Sequence, residues 1–350
     1  MDKELIKNIV NCSRCGLCMD VCPVYKAKKT ETSVSRGKFL QLLGLIKKQL
    51  KFDKRIKYNL DLCLNCKKCK AACPSDIDAV QIFAEIKNEF QTPFEKFLNS
   101  PLVFKIKMFS LWALYKLKYP FKRSYYKKIK KGETPFNIAH FNGCATKSIN
   151  NKFEIPYKFK EENFDCCGLP FFVKGRIDVY EKYKIRNLKR FEKFDKIIFD
   201  CATCYDTVLN YEGVNREKIV YFTDFYKNKK LRAIKPFKIT FHKPCHLDMN
   251  KFLEIEEILS HIENLSYKRL NKFDDCCGFG GDFFTRHIKT ATILSKEKIQ
   301  NVLKTNSDTV LTTCPTCLWS LKYGIKLEGA KIKAFDLADF LHNFVEIIED

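Results

Sequence analysis

The fold is decided first by two stretches of the 350-residue chain, CSRCGLCMDVCP at 12–23 and CLNCKKCKAACP at 63–74. Both fit the spacing C-x2-C-x2-C-x3-C-P without a mismatch. In such a loop three thiolates hold three corners of an iron–sulfur cubane, and the fourth, on the following helical turn, points at the neighbouring cluster. We therefore predict two [4Fe-4S] clusters, one held by Cys12, Cys15, Cys18 and Cys73 and the other by Cys63, Cys66, Cys69 and Cys22.

The two motifs lie farther apart than in a compact two-hairpin ferredoxin. Forty residues separate Cys22 from Cys63, and the stretch RGKFLQLLGLIKKQL (36–50) among them has a helical pattern. We predict an α-helical ferredoxin domain, of the kind found in iron–sulfur subunits of respiratory dehydrogenases. Paired zinc sites are the alternative, but zinc modules seldom use two such four-cysteine runs.

The composition indicates a folded chain in a reducing compartment. Hydrophobic residues make up 45% and aromatic residues 14%, which argues against disorder. The first cysteine motif begins at residue 12 and leaves no room for the apolar core of a signal peptide. No uncharged stretch is long enough to cross a bilayer. We expect a cytoplasmic protein, in which the 18 cysteines bind metal rather than form disulfides.

The chain is strongly basic, with 64 Lys and Arg against 41 Asp and Glu and a net charge of +23. This excess suggests an anionic partner, but the lysines are spread along the chain, so general composition is the other interpretation. Each cubane with four thiolates carries roughly −2, so four clusters would offset about eight of these charges. We expect no nucleic-acid partner, because iron–sulfur motifs account for the cysteines and no recognition fold is visible.

The second half of the chain contains an internal repeat. It pairs FNIAHFNGC (136–144) with FKITFHKPC (237–245), FDCCG (164–168) with DDCCG (274–278), and IIFDCATC (197–204) with TVLTTCPTC (309–317). Similarity in the same order indicates a duplicated domain. Short apolar runs beside the cysteines alternate with helical segments, which predicts parallel α/β sheets with the cysteines at the carboxyl ends of the strands.

Each copy contains five cysteines, spaced C-x21-CCG-x32-CxxC in the first and C-x30-CCG-x35-CxxC in the second. This arrangement resembles the pair of CCG domains shared by glycolate oxidase iron–sulfur subunits, lactate utilisation proteins, one component of anaerobic glycerol-3-phosphate dehydrogenase, and heterodisulfide reductase. The resemblance covers nearly the whole chain, ferredoxin part included. We expect an α+β multi-domain protein, with a ferredoxin domain at 1–95, a basic apolar connector at 96–135, and two tandem α/β CCG domains with short parallel sheets at 136–235 and 236–350.

The resemblance also implies further metal centres. In heterodisulfide reductase such five-cysteine sets bind noncubane [4Fe-4S] clusters at which a disulfide is cleaved. Carried over, one or two such clusters would be held here by Cys144, Cys166, Cys167, Cys201 and Cys204, and by Cys245, Cys276, Cys277, Cys314 and Cys317. The shortened gap between Cys144 and Cys166 leaves the cluster type of the first set open.

Two further elements resemble parts of the same family. His242 and His246 flank Cys245 in a His-x-x-Cys-His element; they either tune a cluster by hydrogen bonding to sulfur or are ordinary packed loop residues. The fragment SVSRGKF (33–39) resembles the Ser-x-Arg-Gly element of glycolate oxidase iron–sulfur subunits. Its alternative is a helix start with Ser35 as the cap and Arg36 on the surface.

The connector has an unusual charge. Residues 101–131 contain ten Lys or Arg and no acid, and 102–118 have the composition of a strongly apolar helix followed by a basic tail. One interpretation is an interfacial helix on the inner face of the cytoplasmic membrane. We favour the other, a linker helix packed between the ferredoxin and CCG parts with its lysines in solvent.

The resemblance implies an iron–sulfur electron-transfer subunit of a glycolate- or lactate-type 2-hydroxy-acid dehydrogenase complex. Such a protein receives electrons from an FAD-linked dehydrogenase subunit, passes them toward quinone, and is not catalytic alone. The alternative is a heterodisulfide reductase-like protein that reduces a disulfide at a noncubane cluster. The sequence offers no catalytic residue and no cofactor-binding residue beyond the iron–sulfur ligands.

Overall fold

The computed structural model describes residues 1, 3–118, 135–149 and 155–348. Its N-terminal part is helical, as predicted. The helices are α1 (Lys3–Val10), α2 (Leu17–Val21), α3 (Pro23–Lys28), α4 (Ser35–Ile46), α5 (Lys54–Asp61), α6 (Lys68–Ala71), α7 (Ala79–Glu89), α8 (Pro93–Leu98) and α9 (Pro101–Lys118). Both four-cysteine motifs lie in the turns around the short helices α2 and α6.

A small apolar core holds these helices together. Ile9, Leu42 and Ile86, from α1, α4 and α7, are fully buried in it. The carboxylates of Asp53 and Asp78 accept hydrogen bonds from the first backbone N–H groups of α5 and α7. These caps satisfy backbone N–H groups that are otherwise unpaired at the start of a helix. The residues at which α5 and α7 begin are therefore set by the local sequence.

The first copy of the repeat forms a parallel sheet with the strand order β2-β1-β3-β4. Its strands are β1 (Ile138–His140), β2 (Lys160–Glu161), β3 (Lys196–Phe199) and β4 (Ile219–Tyr221). The accompanying helices are α10 (Cys144–Ile149), α11 (Leu169–Phe172), α12 (Ile177–Phe191) and α13 (Ala202–Leu209). The predicted alternation of short buried strands with helices is therefore present.

The second copy repeats this order as β6-β5-β7-β8, again parallel, with β9 added antiparallel to β5. Its strands are β5 (Leu231–Phe241), β6 (Glu263–Tyr267), β7 (Thr309–Thr312), β8 (Lys333–Asp336) and β9 (Val345–Ile347). The helices are α14 (Met249–Ser260), α15 (Phe283–Arg286), α16 (Ile288–Leu303), α17 (Pro315–Leu327) and α18 (Leu337–Phe344). The internal repeat is thus a repeat of topology.

The two copies meet at the carboxyl ends of their central strands. The backbone N–H of Ala202, just after β3, donates a 2.9 Å hydrogen bond to the carbonyl oxygen of Thr313, just after β7. Ligands of a parallel sheet sit at the carboxyl ends of its strands. The cysteine-bearing edges of both sheets consequently face each other.

The ferredoxin part packs on the second copy through a shared apolar group. Leu62 and Leu64, which flank Cys63, are buried against Phe279 and Phe283. The carbonyl oxygen of Leu64 approaches the α-carbon of Gly280 so closely that a β-carbon there would overlap it. The glycine-rich run after the second CCG motif therefore allows the second ferredoxin motif to pack directly against it.

Charged side chains extend this packing to all three parts. Arg286 pairs with Asp61 and Asp282, each at 2.7 Å. Asp61 also pairs with Lys87 at 3.1 Å, and Asp282 with Lys174 of the first copy at 3.0 Å. A network of this kind fixes relative orientation more than it adds stability.

Helix α9 covers the junction. Its Phe104 ring packs edge-on against Phe171 at 4.9 Å between centroids, while Leu102, Ile106 and Phe109 are exposed. The predicted basic tail after residue 118 lies outside the described residues. Among the helices that are described, none combines the length and apolarity needed to cross a bilayer.

Candidate metal centres

The first ferredoxin motif surrounds a small cavity. Cys12, Cys15 and Cys18 line it together with Cys73 of the second motif, and Cys69, proposed for the other cubane, also reaches it. A backbone hydrogen bond from Leu17 lowers the pKa of Cys15, which favours the thiolate form that binds metal. The structure thus brings together the four cysteines proposed for one cubane.

The other proposed set lies deeper, against the second copy. Burial raises the pKa of Cys22, and it raises the pKa of Cys69 to about 12. The negative charge of a neighbouring Cys63 thiolate raises both pKa values further. Cys66 packs with Cys22 against the buried cysteines of the second copy. These thiols retain their protons until a metal binds, and a bound cation displaces the protons and removes the repulsion between neighbouring thiolates.

Lys38 is a buried cation beside this set, and sequence reasoning missed it. Only 2% of the residue is exposed, and its Nζ donates a 2.7 Å hydrogen bond to the carbonyl oxygen of Leu62. Burial lowers the pKa of Lys38, and the thiolates of Cys63 and Cys22 act in the opposite direction. An ammonium group held here offsets the negative charge of thiolate ligands.

The Ser-x-Arg-Gly element contributes directly to both motifs. Helix α4 does begin here, but its cap position is occupied by Val34, and Ser35 is already helical. The Ser35 side chain hydrogen-bonds to the Cys69 thiol, and the Arg36 backbone N–H to that of Cys18. The interpretation of Ser35 as the helix cap is therefore wrong.

The five cysteines of the first copy meet at the carboxyl end of the first sheet. The Sγ atoms of Cys144 and Cys166 are 3.5 Å apart. Thiol–thiol contacts continue from Cys166 to Cys167, from Cys167 to Cys204, and from Cys204 to Cys201. The predicted set is one continuous group of sulfur atoms.

The second copy repeats the pattern in a more buried setting. Cys245 contacts Cys276, Cys276 contacts Cys277, Cys277 contacts Cys317, and Cys317 contacts Cys314. Four of these residues are no more than 4% exposed, namely Cys276, Cys277, Cys314 and Cys317. Here too the structure brings the predicted set together.

The two sets also touch each other, which the sequence did not predict. The thiols of Cys201 in the first copy and Cys314 in the second lie close enough to interact. The hydroxyl of Thr203 lies 3.6 Å from the Cys314 Sγ. The ten cysteines therefore form a single run of neighbouring sulfur atoms across the domain boundary.

A cavity of about 650 Å³ lies at this boundary, lined by cysteines of both copies and by Cys63 of the ferredoxin part. Phe104 and Lys107 of α9 line one side, and His246 and Trp319 also face it. The space is therefore bounded by all three parts of the chain, and some of it would be filled by the metal centres themselves.

His246 lines the cavity and also contacts an ion pair. Its Nδ1 lies 2.8 Å from the Asp206 carboxylate, which also pairs with Lys67 at 2.8 Å. Burial favours the neutral acid, but His246 and Lys67 outweigh it and lower the pKa of Asp206. Asp206 stands two residues after Cys204 in the sequence, and only the fold reveals its partners.

Lys298 places a second buried cation beside the second set. It is 3% exposed, and its Nζ donates to the carbonyl oxygen of Lys272 at 2.9 Å. Burial lowers its pKa, and Asp275 and the Cys276 thiolate oppose that shift. In the first copy, Asn187 is the buried polar residue on the corresponding helix, so the two sets differ in local charge.

The donor chemistry of these four sets fits iron–sulfur clusters. All 18 cysteines are free, and within each set the thiols lie together. Grouped thiolates select iron–sulfur clusters or zinc among common metal groups, and buried lysines nearby compensate an anionic centre. Direct ligation by each cysteine is our proposal.

Comparison with known protein families agrees with this arrangement. A 4Fe-4S dicluster domain matches residues 8–77, and a cysteine-rich domain, CCG, matches residues 136–208 and again 239–322. The chain thus contains a 4Fe-4S dicluster domain in its N-terminal part, followed by two copies of the CCG domain.

Its relatives include subunits of oxidoreductase complexes. One component of the fumarate reductase (CoM/CoB) of Methanothermobacter marburgensis is 24% identical, over 97% of this chain and 73% of that protein. One component of the dihydromethanophenazine:CoB–CoM heterodisulfide reductase of Methanosarcina barkeri is 23% identical, over 89% and 88%. A probable glycolate oxidase iron-sulfur subunit of Bacillus subtilis is 22% identical, over 95% and 93%.

A solved structure supports the fold alone. A hypothetical protein from Helicobacter pylori superposes with a TM-score of 0.50 at 11% identity, over 87% of this chain and 66% of that chain. The sequence relatives, and not this structure, place the chain among proteins related to iron–sulfur subunits of oxidoreductase complexes.

Proposed function

We propose that the chain is the electron-transfer subunit of a 2-hydroxy-acid dehydrogenase complex of the glycolate or lactate type. Its partner would be an FAD-linked dehydrogenase subunit, and quinone the eventual acceptor. The probable glycolate oxidase iron-sulfur subunit of Bacillus subtilis, which matches over nearly its whole length, supports this assignment. The four cysteine sets would hold iron–sulfur clusters, which supply one-electron transfer.

The observation that carries the proposal is the contact between the second ferredoxin motif and the second CCG set. Burial raises the pKa of Cys66, and the neighbouring Cys276 thiolate raises it further. The charge of Cys66 in turn helps to raise the pKa of Cys245. The protein therefore places the partly buried Cys66 against the apolar group that contains Cys276, so that thiols of the two domains are neighbours, as electron transfer between them requires.

The test uses the purified, cluster-replete chain with and without a partner. Alone, it should not reduce a dye at the expense of glycolate or lactate, because it supplies no two-electron oxidation of an organic substrate. Adding the flavin-bearing dehydrogenase subunit should produce hydroxy-acid-dependent dye reduction. Hydroxy-acid oxidation by the chain alone, or no gain with any such partner, would reject the proposal.

The cavity between the two CCG sets favours a second candidate function, reduction of a small disulfide. This reaction breaks the S–S bond, consumes two electrons and two protons, and releases two thiols. His246 lines the cavity, and the Asp206 carboxylate holds a proton at its Nδ1, which leaves Nε2 as the ring atom able to exchange protons with a bound molecule. A component of a heterodisulfide reductase is among the relatives.

One assay separates the two candidates. With reduced viologen as electron donor, a disulfide reductase should cleave a small disulfide without any partner, and Cys277→Ala should abolish that turnover. His246→Gln should slow it, whereas His261→Gln, an exposed site on the second copy, serves as the matched control. Turnover lost in Cys277→Ala would replace the first candidate with the second.

We extend the proposal to the location of the complex: α9 packs at the junction through Phe104, as the favoured linker interpretation expects, and its exposed side supports the membrane interpretation as well. Leu102, Ile106 and Phe109 form an exposed apolar row on α9, and Lys105 and Lys107 lie on the same helix. This combination suits contact with an anionic lipid surface near the quinone pool. Co-sedimentation with vesicles of anionic lipid, weakened in Ile106→Glu, is the measurement that decides it.

A further inference from the structure

His242 is a buried polar side chain for which the described residues offer no partner. It is 1% exposed, and neither of its ring nitrogens makes a hydrogen bond within the part of the chain that the structure describes. One ring nitrogen and the Sγ atoms of Cys277 and Cys317 all lie within 4.8 Å of one another. Buried polar groups are nearly always paired, so an unpaired imidazole beside two cysteine sulfur atoms points to a group that is bound there.

The first copy provides an internal comparison. The backbone N–H of Phe141 donates to the carbonyl oxygen of Ile198 at 2.8 Å, and that of His242 donates to Leu311 at 2.8 Å. Phe141 and His242 therefore occupy the same place in the two copies. Phe141 is fully buried and stacks on Phe199, so this position accepts an aromatic hydrocarbon ring without strain.

The imidazole in the second copy is consequently not required for packing. A histidine buried at a position where the first copy has phenylalanine loses the hydration of its two ring nitrogens. This loss is unfavourable unless a hydrogen bond replaces the hydration. A neutral imidazole offers one N–H donor. The atoms around it include the sulfur of Cys277 and Cys317, and sulfur that ligates iron accepts hydrogen bonds.

We propose that His242 donates a hydrogen bond from its ring N–H to a sulfur atom of the cluster held by the second CCG set. This inference rests on the proposal that the second set binds a cluster. Because added electron density resides partly on sulfur, such a donor stabilises the reduced form and raises the reduction potential. His242 is thus a positioning and tuning residue that makes the two CCG clusters inequivalent.

The experiment compares wild type with His242→Phe, which installs the first copy's own residue, and with His261→Phe as a remote control. Redox titration followed by EPR should show one CCG cluster shifted to lower potential in His242→Phe. We expect a change of about tenfold in the reduced-to-oxidised ratio, 59 mV for a one-electron couple. His242→Asn, which keeps an N–H donor, should recover part of the shift, and His261→Phe should show none.

Pulsed EPR on protein with ¹⁵N-labelled histidine supplies a readout that is independent of activity. Wild type should show a weak nitrogen coupling on a CCG cluster, which is lost in His242→Phe and retained in His261→Phe. Unchanged potentials and coupling in His242→Phe would overturn the inference, as would a strong coupling typical of nitrogen bound to iron. Iron analysis of the same sample tests the premise separately. If the CCG sets contain no iron, the proposed function fails, and the inference that depends on it fails as well.

Discussion

Gly280 lies directly against the carbonyl oxygen of Leu64, with no space for a β-carbon between them. Leu64 belongs to the second ferredoxin motif and Gly280 to the run that follows the second CCG motif. The contact is between two stretches of backbone, so neither side can give way by rotating a side chain. It fixes the distance between two cysteine sets that belong to different domains.

Replacing Gly280 with alanine should therefore loosen the ferredoxin part from the second copy. We expect a loss of about 1–3 kcal/mol in the free energy of unfolding, the usual cost of overpacking. Hydrogen exchange should rise in the segment around Leu64. Gly213→Ala is the control: its φ of +81° strains the backbone, but nothing lies within 4 Å of the added carbon, so it leaves the contact with Leu64 intact. Equal protection around Leu64 in both variants would contradict this role.

Iron content tests whether the CCG sets bind clusters. The ferredoxin sets account for about eight irons, and two further filled sets would bring the total to about sixteen. Anaerobically purified protein should therefore contain clearly more than eight irons, with matching sulfide. A value near eight, with no additional EPR signal on oxidation, would remove the proposed clusters of the CCG domains.

Cys66→Ser should remove one ferredoxin cluster and leave the others. Serine preserves the size of the side chain against the buried group of the second copy, so the fold should survive, but it supplies no thiolate. We expect a loss of about four irons and of electron transfer through the ferredoxin domain. Cys166→Ser should give the converse loss from the first CCG set. Normal transfer to quinone analogues in Cys66→Ser would place the ferredoxin domain off the path.

Asp282 should contribute stability that depends on pH. Burial opposes its ionisation, but Arg286 and Lys174 outweigh burial and lower its pKa. The stabilisation is fully present above the unfolded pKa of about 3.9 and is lost as the pH falls through the lower folded value. At pH 7, Asp282→Asn should cost about 1–3 kcal/mol, because two cations lose a partner.

Urea unfolding at several pH values between 7 and about 3 measures this difference, which should shrink at the acid end. Asp178→Asn is the comparison variant: Arg176 also lowers the pKa of Asp178, but the Asp178 side chain is 63% exposed, where such pairs contribute about 0–1 kcal/mol, so its change with pH should be smaller. A difference for Asp282→Asn that stays constant with pH would contradict the assignment of its charge.

Much of this architecture could be predicted from the sequence, because iron–sulfur ligation imposes spacing on the chain. The four cysteine motifs, the duplicated strands and the helix that begins at Pro101 all follow from local patterns. The contact of Cys201 with Cys314 could not, since a separation of more than a hundred residues carries no periodic signal. Lys38 and Lys298 were missed for a related reason. In a chain with 64 basic residues, nothing local distinguishes a buried lysine from a surface one.

The hydrogen bond from the Ala202 N–H to the Thr313 carbonyl oxygen ties the turn after β3 in the first copy to the turn after β7 in the second. A chain with a single copy would need a second molecule to supply that partner, and the pair would come apart on dilution. Fusing both copies into one polypeptide holds their local concentration constant, whatever the amount of protein in the cell. The duplication thus converts an association that depends on concentration into a permanent one.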